Sequence, residues 1–219
     1  MQTTGRSGSA EVAQIAGRFN DLLGLRQAVG GVAFLIIFVW TLAFPVTLSD
    51  IHSRAAFQRF LWGGAVVTVA ALVFIAGSLW MSAWYRRHYG RVVRNRGQNR
   101  LGVLLGVGGF LAFIVPFETE LIASNTSHPV AFNLWMFTFA IWIAGYWLYL
   151  GRSYVHYALF AAVALALGIV STFGVPPLTF VWHLREVTLF FAFASIVGGA
   201  IDHRTLTRAM PGRSVAGTA

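Results

Sequence analysis

Long apolar runs are the feature that most constrains how this chain can fold. Each run is close to the roughly 20 residues that an α-helix needs to cross a hydrocarbon core of about 30 Å. Lipid offers no partner to backbone amides and carbonyls, so such runs form helices rather than open strands. The runs cover Ala28–Leu48, Phe60–Trp84, Leu101–Ala123, Val130–Leu150, Val155–Phe173 and Leu178–Ile201. The sequence therefore predicts an all-α integral membrane protein, a bundle of six transmembrane helices.

The composition agrees with a chain that is solvated by lipid. Of the 219 residues, 57% are hydrophobic and 11% are charged, whereas soluble domains carry about 25% charged residues. Cysteine and lysine are absent from the sequence, which excludes disulfides, thiolate metal sites and Schiff-base chemistry. The net charge of +9 lies beside apolar runs. We therefore expect contact with anionic lipids at the cytoplasmic face and no nucleic-acid partner.

Arginine predicts the orientation of the bundle. The loop between the second and third runs is the most basic part of the chain, and basic loops stay in the cytoplasm. Its arginines are Arg86, Arg87, Arg91, Arg94, Arg96 and Arg100. With this loop inside, all of the sixteen arginines except Arg54, Arg59 and Arg185 fall on the cytoplasmic side or its flanks. The prediction is a cell-membrane protein with both termini in the cytoplasm, in which this loop also binds lipid head groups or a protein partner.

The two ends of the chain are predicted to lie outside the lipid. Residues 1–10 are small and polar, and are expected to be disordered. Residues 11–26 place apolar side chains at helical spacing, which indicates an amphipathic helix on the inner membrane surface; the alternative is the start of the first span. Residues 27–201 form the transmembrane domain. Residues 202–219 form a cytoplasmic tail, in which Asp202 begins a solvated helix end.

Polar side chains within the apolar runs are the candidate functional residues, because the membrane rejects them unless they serve a purpose. In the third run, Pro116 removes one amide donor and frees the carbonyl of Ala112. Acidic residues follow it, and the sixth run carries further ionisable groups at a similar predicted depth. The candidate substrate- or ion-binding residues are Glu118, Glu120, Asn133, His183, Arg185 and Glu186. The third, fourth and sixth helices are expected to bring them into one polar cluster near the outer side.

Three interpretations of these residues stay open. A charge at the centre of a span costs about 2.5–3.5 kcal/mol, so Arg185 is expected to pair with Glu118 or Glu120. That pair could belong to a site for an ion, a proton or a polar substrate, or it could be a structural salt bridge between two helices. In the third interpretation the third span ends at Phe117, and the two glutamates are loop residues.

Small residues four positions apart predict where helices pack closely. The pairs are Gly102 with Gly106, Ala162 with Ala166, Ala164 with Gly168, and Ala194 with Gly198. Aromatic residues at the ends of the runs predict interfacial belts. Both patterns concern packing and indicate no activity.

Three functions fit this sequence. Short loops and the absence of catalytic motifs favour a non-enzymatic membrane component that works with a membrane or cytoplasmic protein partner, such as a permease subunit, the membrane part of a sensor or an assembly factor. The second is a self-contained small transporter or channel that uses the outer polar cluster. The third is an intramembrane enzyme that acts on a lipid-soluble substrate with His183, Glu186 and Glu118. Since zinc needs at least three well-placed ligands, no metal site is predicted, and the sequence identifies no cofactor.

Overall fold

The computed structural model describes residues 24–43, 54–89, 96–124, 133–173 and 180–209. These residues form six helices: α1 (Gly24–Ala43), α2 (Arg54–Tyr89), α3 (Arg96–Ser124), α4 (Leu134–Tyr149), α5 (Val155–Phe173) and α6 (Phe180–Ala209). Four of them, α1, α2, α5 and α6, are long and apolar enough to cross a membrane, and α3 and α4 contain shorter apolar stretches. The all-helical part of the prediction is confirmed for the described residues. The number of spans and the orientation stay predictions.

Helices that are consecutive in the chain and in contact run antiparallel. α1 packs on α2 and, over most of its length, on α6, whereas α3, α4 and α5 pack on one another in chain order. α6 makes lighter contacts with α3, α4 and α5 and so joins the two groups. The first turn of α1 therefore lies at the same end of the bundle as Asp202 of α6. We call this the Asp202 end, and the opposite one the Glu186 end.

The closest helix contact in the described bundle is the crossing of α1 and α6. A Cβ atom on Gly24 would overlap the carbonyl of Gly199 and lie 2.5 Å from the amide nitrogen of His203. Two turns further along α1, a Cβ atom on Gly31 would lie 2.8 Å from the carbonyl oxygen of Ala192. Only residues with small side chains permit backbones to approach so closely. This crossing fixes the register of α1 against α6.

The predicted small-residue pairs are used in part. Ala164 and Gly168 are buried, and a Cβ on Gly168 would lie 3.2 Å from the Cβ of Met136 in α4. Ala194 and Gly198 are likewise buried. The other two pairs are not buried: an added Cβ on Gly106 would meet nothing within 4 Å, and Ala162 and Ala166 are exposed. The crossing of α1 and α6 instead uses small residues that are seven positions apart, namely Gly24 and Gly31 in α1 and Ala192 and Gly199 in α6. The prediction considered only pairs that are four positions apart.

Side chains of α4 donate hydrogen bonds to backbone carbonyls of α3. The hydroxyl of Thr138 lies 2.9 Å from the carbonyl oxygen of Ala112, which Pro116 was predicted to free, and 3.1 Å and 3.0 Å from the carbonyl oxygens of Leu134 and Trp135 in its own helix. Of these three acceptors, only the carbonyl of Ala112 lacks an amide donor four residues later. The indole N–H of Trp135 donates to the next carbonyl, that of Phe113, at 3.0 Å. A further indole, that of Trp142, donates to the carbonyl of Leu105 at 2.8 Å. α3 is therefore held to α4 by polar bonds at several levels.

The turn between α4 and α5 is built around a glycine with left-handed backbone geometry. Gly151 has φ of 69°, and its N–H donates to the carbonyl of Leu148 at 2.9 Å. The N–H of Arg152 reaches back to the carbonyl of Trp147 at 3.1 Å. These two bonds form a Schellman motif, which satisfies the last carbonyls of α4. The short turn lets α5 pack directly against α4.

The end of α6 differs from the prediction. The helix continues to Ala209, and Asp202 is completely buried, although Arg204 is exposed. The expectation of a solvated helix end is therefore wrong at Asp202, because α1 and α5 cover this turn of α6. Residues 1–23, which include most of the predicted interfacial helix, and residues 210–219 lie outside the described residues. Gly24 to Arg26 belong to α1.

Aromatic packing fills the middle of the bundle, and apolar side chains cover its outside. Phe191 of α6 contacts the ring of Phe139 (centroids 4.1 Å apart) and that of Phe34 (5.2 Å). Outward-facing aliphatic residues such as Leu72 of α2 and Leu104 of α3 are mostly exposed. An apolar exterior of this extent needs lipid around it.

We expect Gly199→Leu to lower the free energy of unfolding by about 2–3 kcal/mol, because the larger side chain forces α1 and α6 apart. Unfolding in mixed micelles, followed by circular dichroism, measures the change. Gly106→Leu is the matched control, since its added side chain meets open space. Equal losses in the two variants would contradict the close crossing.

The bond from Thr138 to the carbonyl of Ala112 is tested by a double-mutant cycle. Thr138→Val is expected to cost about 1 kcal/mol of stability, the size of an interhelical hydrogen bond in a membrane protein. In a Pro116→Ala background the loss shrinks, because residue 116 then supplies a main-chain N–H to the same carbonyl. If Thr138→Val costs the same in both backgrounds, the hydroxyl does not replace the missing amide.

Candidate functional site

The carboxylate of Glu186 is the centre of the polar cluster at the Glu186 end. Its Oε2 atom accepts a hydrogen bond from Nδ2 of Asn133 at 2.9 Å and another from the hydroxyl of Ser171 at 2.7 Å. Asn133 directly precedes α4, and Ser171 lies in the last turn of α5. Three helices, α4, α5 and α6, therefore meet at a single carboxylate oxygen.

The orientation of the Asn133 amide is set by a second role. Asn133 is the N-cap of α4, and its Oδ1 accepts from the N–H of Met136 at 3.2 Å. This bond satisfies one of the amides that every helix N-terminus leaves without a partner. The side-chain NH₂ group then faces Glu186. Because Asn133 is fully buried, both polar ends of its amide are satisfied by protein groups, Oδ1 by the N–H of Met136 and Nδ2 by Glu186.

The two oxygens of Glu186 have different surroundings. Oε2 takes both hydrogen bonds, whereas among the described residues Oε1 accepts none. The side chain is half-buried, in a turn of α6 that belongs to an apolar segment. Oε1 is therefore the atom on which a proton can bind without displacing Asn133 or Ser171.

His183 lies one turn before Glu186 on the same face of α6. It is only 1% exposed, so α6 presents an imidazole and a carboxylate to the interior at this end. Within the described ranges, no group of three His, Asp or Glu side chains could hold a metal ion. The chemistry that these two groups offer is acid–base chemistry.

Arg185 does not form the predicted pair with Glu118. Its Nε and Nη2 atoms both donate to the backbone carbonyl of Thr41 in the last turn of α1, with the Nε bond at 3.1 Å. Glu118 is exposed on α3, so the described residues form no salt bridge between α3 and α6. α3 continues to Ser124, so Glu118 is a helix residue and not a loop residue. Its neighbour Glu120 lies in the same helix, but its side chain is outside the described residues.

The sequence explains why the carbonyl of Thr41 needs a donor. In a continuing helix this carbonyl would accept from the residue four positions later, which is Pro45. Proline has no N–H, so that bond cannot form. The guanidinium of Arg185 supplies two N–H donors in its place, and a cation is also favoured at the C-terminal end of a helix dipole. Arg185 is thus a cap of α1.

Sequence reasoning missed two members of this cluster. Ser171 lies near the C-terminal end of the fifth run, at the same predicted depth as Asn133, and its position two residues from the run's end was the available signal. Thr41 carries no charge and contributes only its backbone, so a search for opposite charges could not find it. The cluster is therefore built by α4, α5 and α6, with α1 on one side, and not by α3.

The predicted lipid- or partner-binding arginines lie at the Asp202 end or outside the described residues. Arg86 and Arg87 are exposed in the last turn of α2, and Arg100 is exposed in the first turns of α3. Arg91 and Arg94 lie outside the described residues, and so does the side chain of Arg96. Their binding to head groups or to a partner stays a prediction.

Comparison of the chain with protein-family models, with curated proteins and with solved structures finds no match in any of the three.

Replacing Arg185 by methionine keeps most of the side-chain volume and removes every donor to Thr41. We expect Arg185→Met to lower the free energy of unfolding by about 1.5–3 kcal/mol, the contribution of a hydrogen bond that involves a charged group. Chemical unfolding in micelles measures it. Arg204→Met is the control on the same helix, because Arg204 is exposed. A loss no larger than that of the control would show that Arg185 does not cap α1.

Proposed function

We propose that this protein is a self-contained small transporter that moves protons across the membrane, with Glu186 as the residue that binds and releases the proton. The single observation that carries the proposal is the set of partners of Glu186. Neutral groups on two other helices donate to its carboxylate, while the adjacent Arg185 is engaged on α1. Intramembrane carboxylates without a permanent counter-charge mark proton and ion pathways.

The structural alternative, a salt bridge, accounts poorly for this geometry. A buried ion pair needs the two charges in contact to offset the cost of removing both from water. Glu186 and Arg185 are neighbours in sequence, about 100° apart around the helix, and bond to different helices. Each has its own partners, so the carboxylate is not neutralised by the guanidinium.

A proton fits the site better than a metal cation. Metal ions such as calcium are bound by a shell of six or more oxygen acceptors. Here the groups that face Oε2 are donors, because the Oδ1 atom of Asn133 is occupied by Met136 and its NH₂ group faces the carboxylate. Donors repel a cation, whereas a proton needs only the remaining oxygen, Oε1.

Protonation of Glu186 would change how α6 is attached to its neighbours. Hydrogen bonds to an ionised carboxylate are roughly twice as strong as those between neutral groups. Loss of the charge therefore weakens the bonds from Asn133 and Ser171 together, and loosens α6 from α4 and α5. A carboxylate whose proton occupancy controls helix contacts is the basic element of a proton-driven conformational change.

The other two sequence-based hypotheses have less support from the described residues. The enzyme hypothesis requires His183, Glu186 and Glu118 to act together, but Glu118 is exposed on α3 and Glu186 bonds to α4 and α5. The partner-dependent membrane component stays a prediction, since no contact in the described residues bears on it.

The test is proton flux into lipid vesicles that contain the purified protein. A potassium diffusion potential supplies the driving force, and a pH-sensitive dye inside the vesicles reports the flux. We expect Glu186→Gln to reduce the flux at least about tenfold, the loss typical of removing a positioned proton-transfer group. Glu118→Gln is the matched control and should retain flux.

Two outcomes would overturn the proposal. One is wild-type protein with the same flux as protein-free vesicles. The other is Glu186→Gln protein with the flux of the wild type, although it is folded and inserted to the same extent.

A further inference from the structure

A second buried carboxylate lies at the opposite end of α6. Asp202 has no exposed surface, and its Oδ2 accepts a hydrogen bond from the hydroxyl of Tyr157 at 2.6 Å. The other oxygen, Oδ1, lies 3.1 Å from Nε2 of His156. The hydroxyl of Tyr157 also lies 3.2 Å from the side-chain oxygen of Gln27 in α1. Three helices, α1, α5 and α6, enclose this carboxylate.

No permanent positive charge compensates Asp202 among the described residues. Three arginines lie close in sequence to the residues around Asp202, and all three are exposed. They are Arg26 in α1, Arg152 in the turn before α5, and Arg204 in α6. Oδ1 of Asp202 and Nε2 of His156 face each other at ion-pair distance, and neither atom makes a hydrogen bond in the described part of the chain. Each of these two atoms therefore depends on the other, and an uncompensated buried charge is strongly unfavourable.

The neighbouring histidine, His203, has a different partner. The hydroxyl oxygen of Tyr85 accepts the backbone N–H of Leu25 at 3.1 Å and lies 2.8 Å from Nδ1 of His203. Among the described residues, His156 is the cationic side chain in ion-pair contact with Asp202.

We propose that His156 and Asp202 form a second proton-binding site, in which one proton on the imidazole of His156 compensates the carboxylate across the 3.1 Å contact between Nε2 and Oδ1. With that proton on Nε2 the pair is an imidazolium and a carboxylate, and its net charge is zero. If the pair loses this proton, the buried carboxylate faces a neutral imidazole and its charge is uncompensated. If the pair gains a second proton, the imidazolium faces a neutral carboxylic acid and its charge is uncompensated. The singly protonated pair is therefore the favoured state. Tyr157 stabilises the carboxylate by donating to Oδ2 without entering the exchange.

The imidazole of His156 is the part of the pair that reaches the surface of the described bundle. The side chain of His156 is 10% exposed, whereas Asp202 is not exposed at all. The other titratable groups near the pair are three tyrosines and a histidine. Tyr154 packs directly on the ring of His156, and Tyr85 and Tyr146 pack at this end against His203 and Tyr157 respectively. The inference does not depend on the role of Glu186, which lies at the other end of α6.

The charge state of His156 can be read directly by nitrogen NMR. Protein labelled with ¹⁵N-histidine is reconstituted in bilayers at neutral pH, and the ring signals of His156 are assigned by comparison with His156→Gln protein. We expect both ring nitrogens of His156 to carry protons in the wild type. In Asp202→Asn protein, which keeps the side-chain shape, we expect only one of them to be protonated.

Infrared spectroscopy of the carboxyl group is the complementary measurement. In His156→Gln protein the carboxylate loses its cation, so we expect a protonated carboxylic-acid band that is absent from the wild type and from the His156→Gln, Asp202→Asn double variant. Arg204→Gln should leave both spectra unchanged. A singly protonated His156 ring in the wild type overturns the proposal without any variant, and so does a doubly protonated ring that persists in Asp202→Asn. Neither readout measures flux, so failure of the Glu186 transport proposal leaves this result interpretable.

Discussion

At several points in the described bundle a polar group takes its partner from another helix, because the apolar surroundings offer none. This constraint explains contacts that otherwise look unrelated. Thr138 supplies the donor that Pro116 lacks, and Arg185 supplies the donor that Pro45 lacks. In both cases a proline leaves a carbonyl without its amide four residues later, and a side chain from a neighbouring helix fills the place. At these two points, neighbouring helices are joined where a proline removes a hydrogen bond from the backbone of one of them.

Features that depend on one segment of the chain could be predicted from the sequence, whereas contacts that depend on how two helices pack could not. The apolar runs and the carbonyl freed by Pro116 are properties of single segments, and both could be predicted from the residues. The partner of Arg185 could not, since a charge in a membrane suggests an opposite charge. The actual partner is an uncharged carbonyl of α1, and the informative residue was Pro45, four positions after Thr41.

Burial at the Asp202 end was missed for a related reason. Asp202 follows the last apolar run, and in sequence it resembles the start of a soluble tail. Its burial arises from Gly24 and Gly199, which bring α1 so close to α6 that the first turn of α1 covers this part of α6. The aromatic residues Tyr85 and Tyr157 then point inward to polar partners, although their positions also suit an interfacial belt. A single sequence shows that such residues are amphipathic, but it does not show which neighbouring side chain forms a hydrogen bond with each hydroxyl group.

The two carboxylates lie at opposite ends of α6, and each is bonded to α5. Glu186 and Asp202 are sixteen positions apart on α6, which corresponds to about 24 Å at a rise of 1.5 Å per residue. The aromatic contacts of Phe191 lie between them. α6 is held to α1 by backbone contact that no protonation changes, but it is held to α5 at both ends by hydrogen bonds to a carboxylate. If protons cross this membrane through α6, the movement that carries them is therefore a shift of α1 and α6 together against α4 and α5.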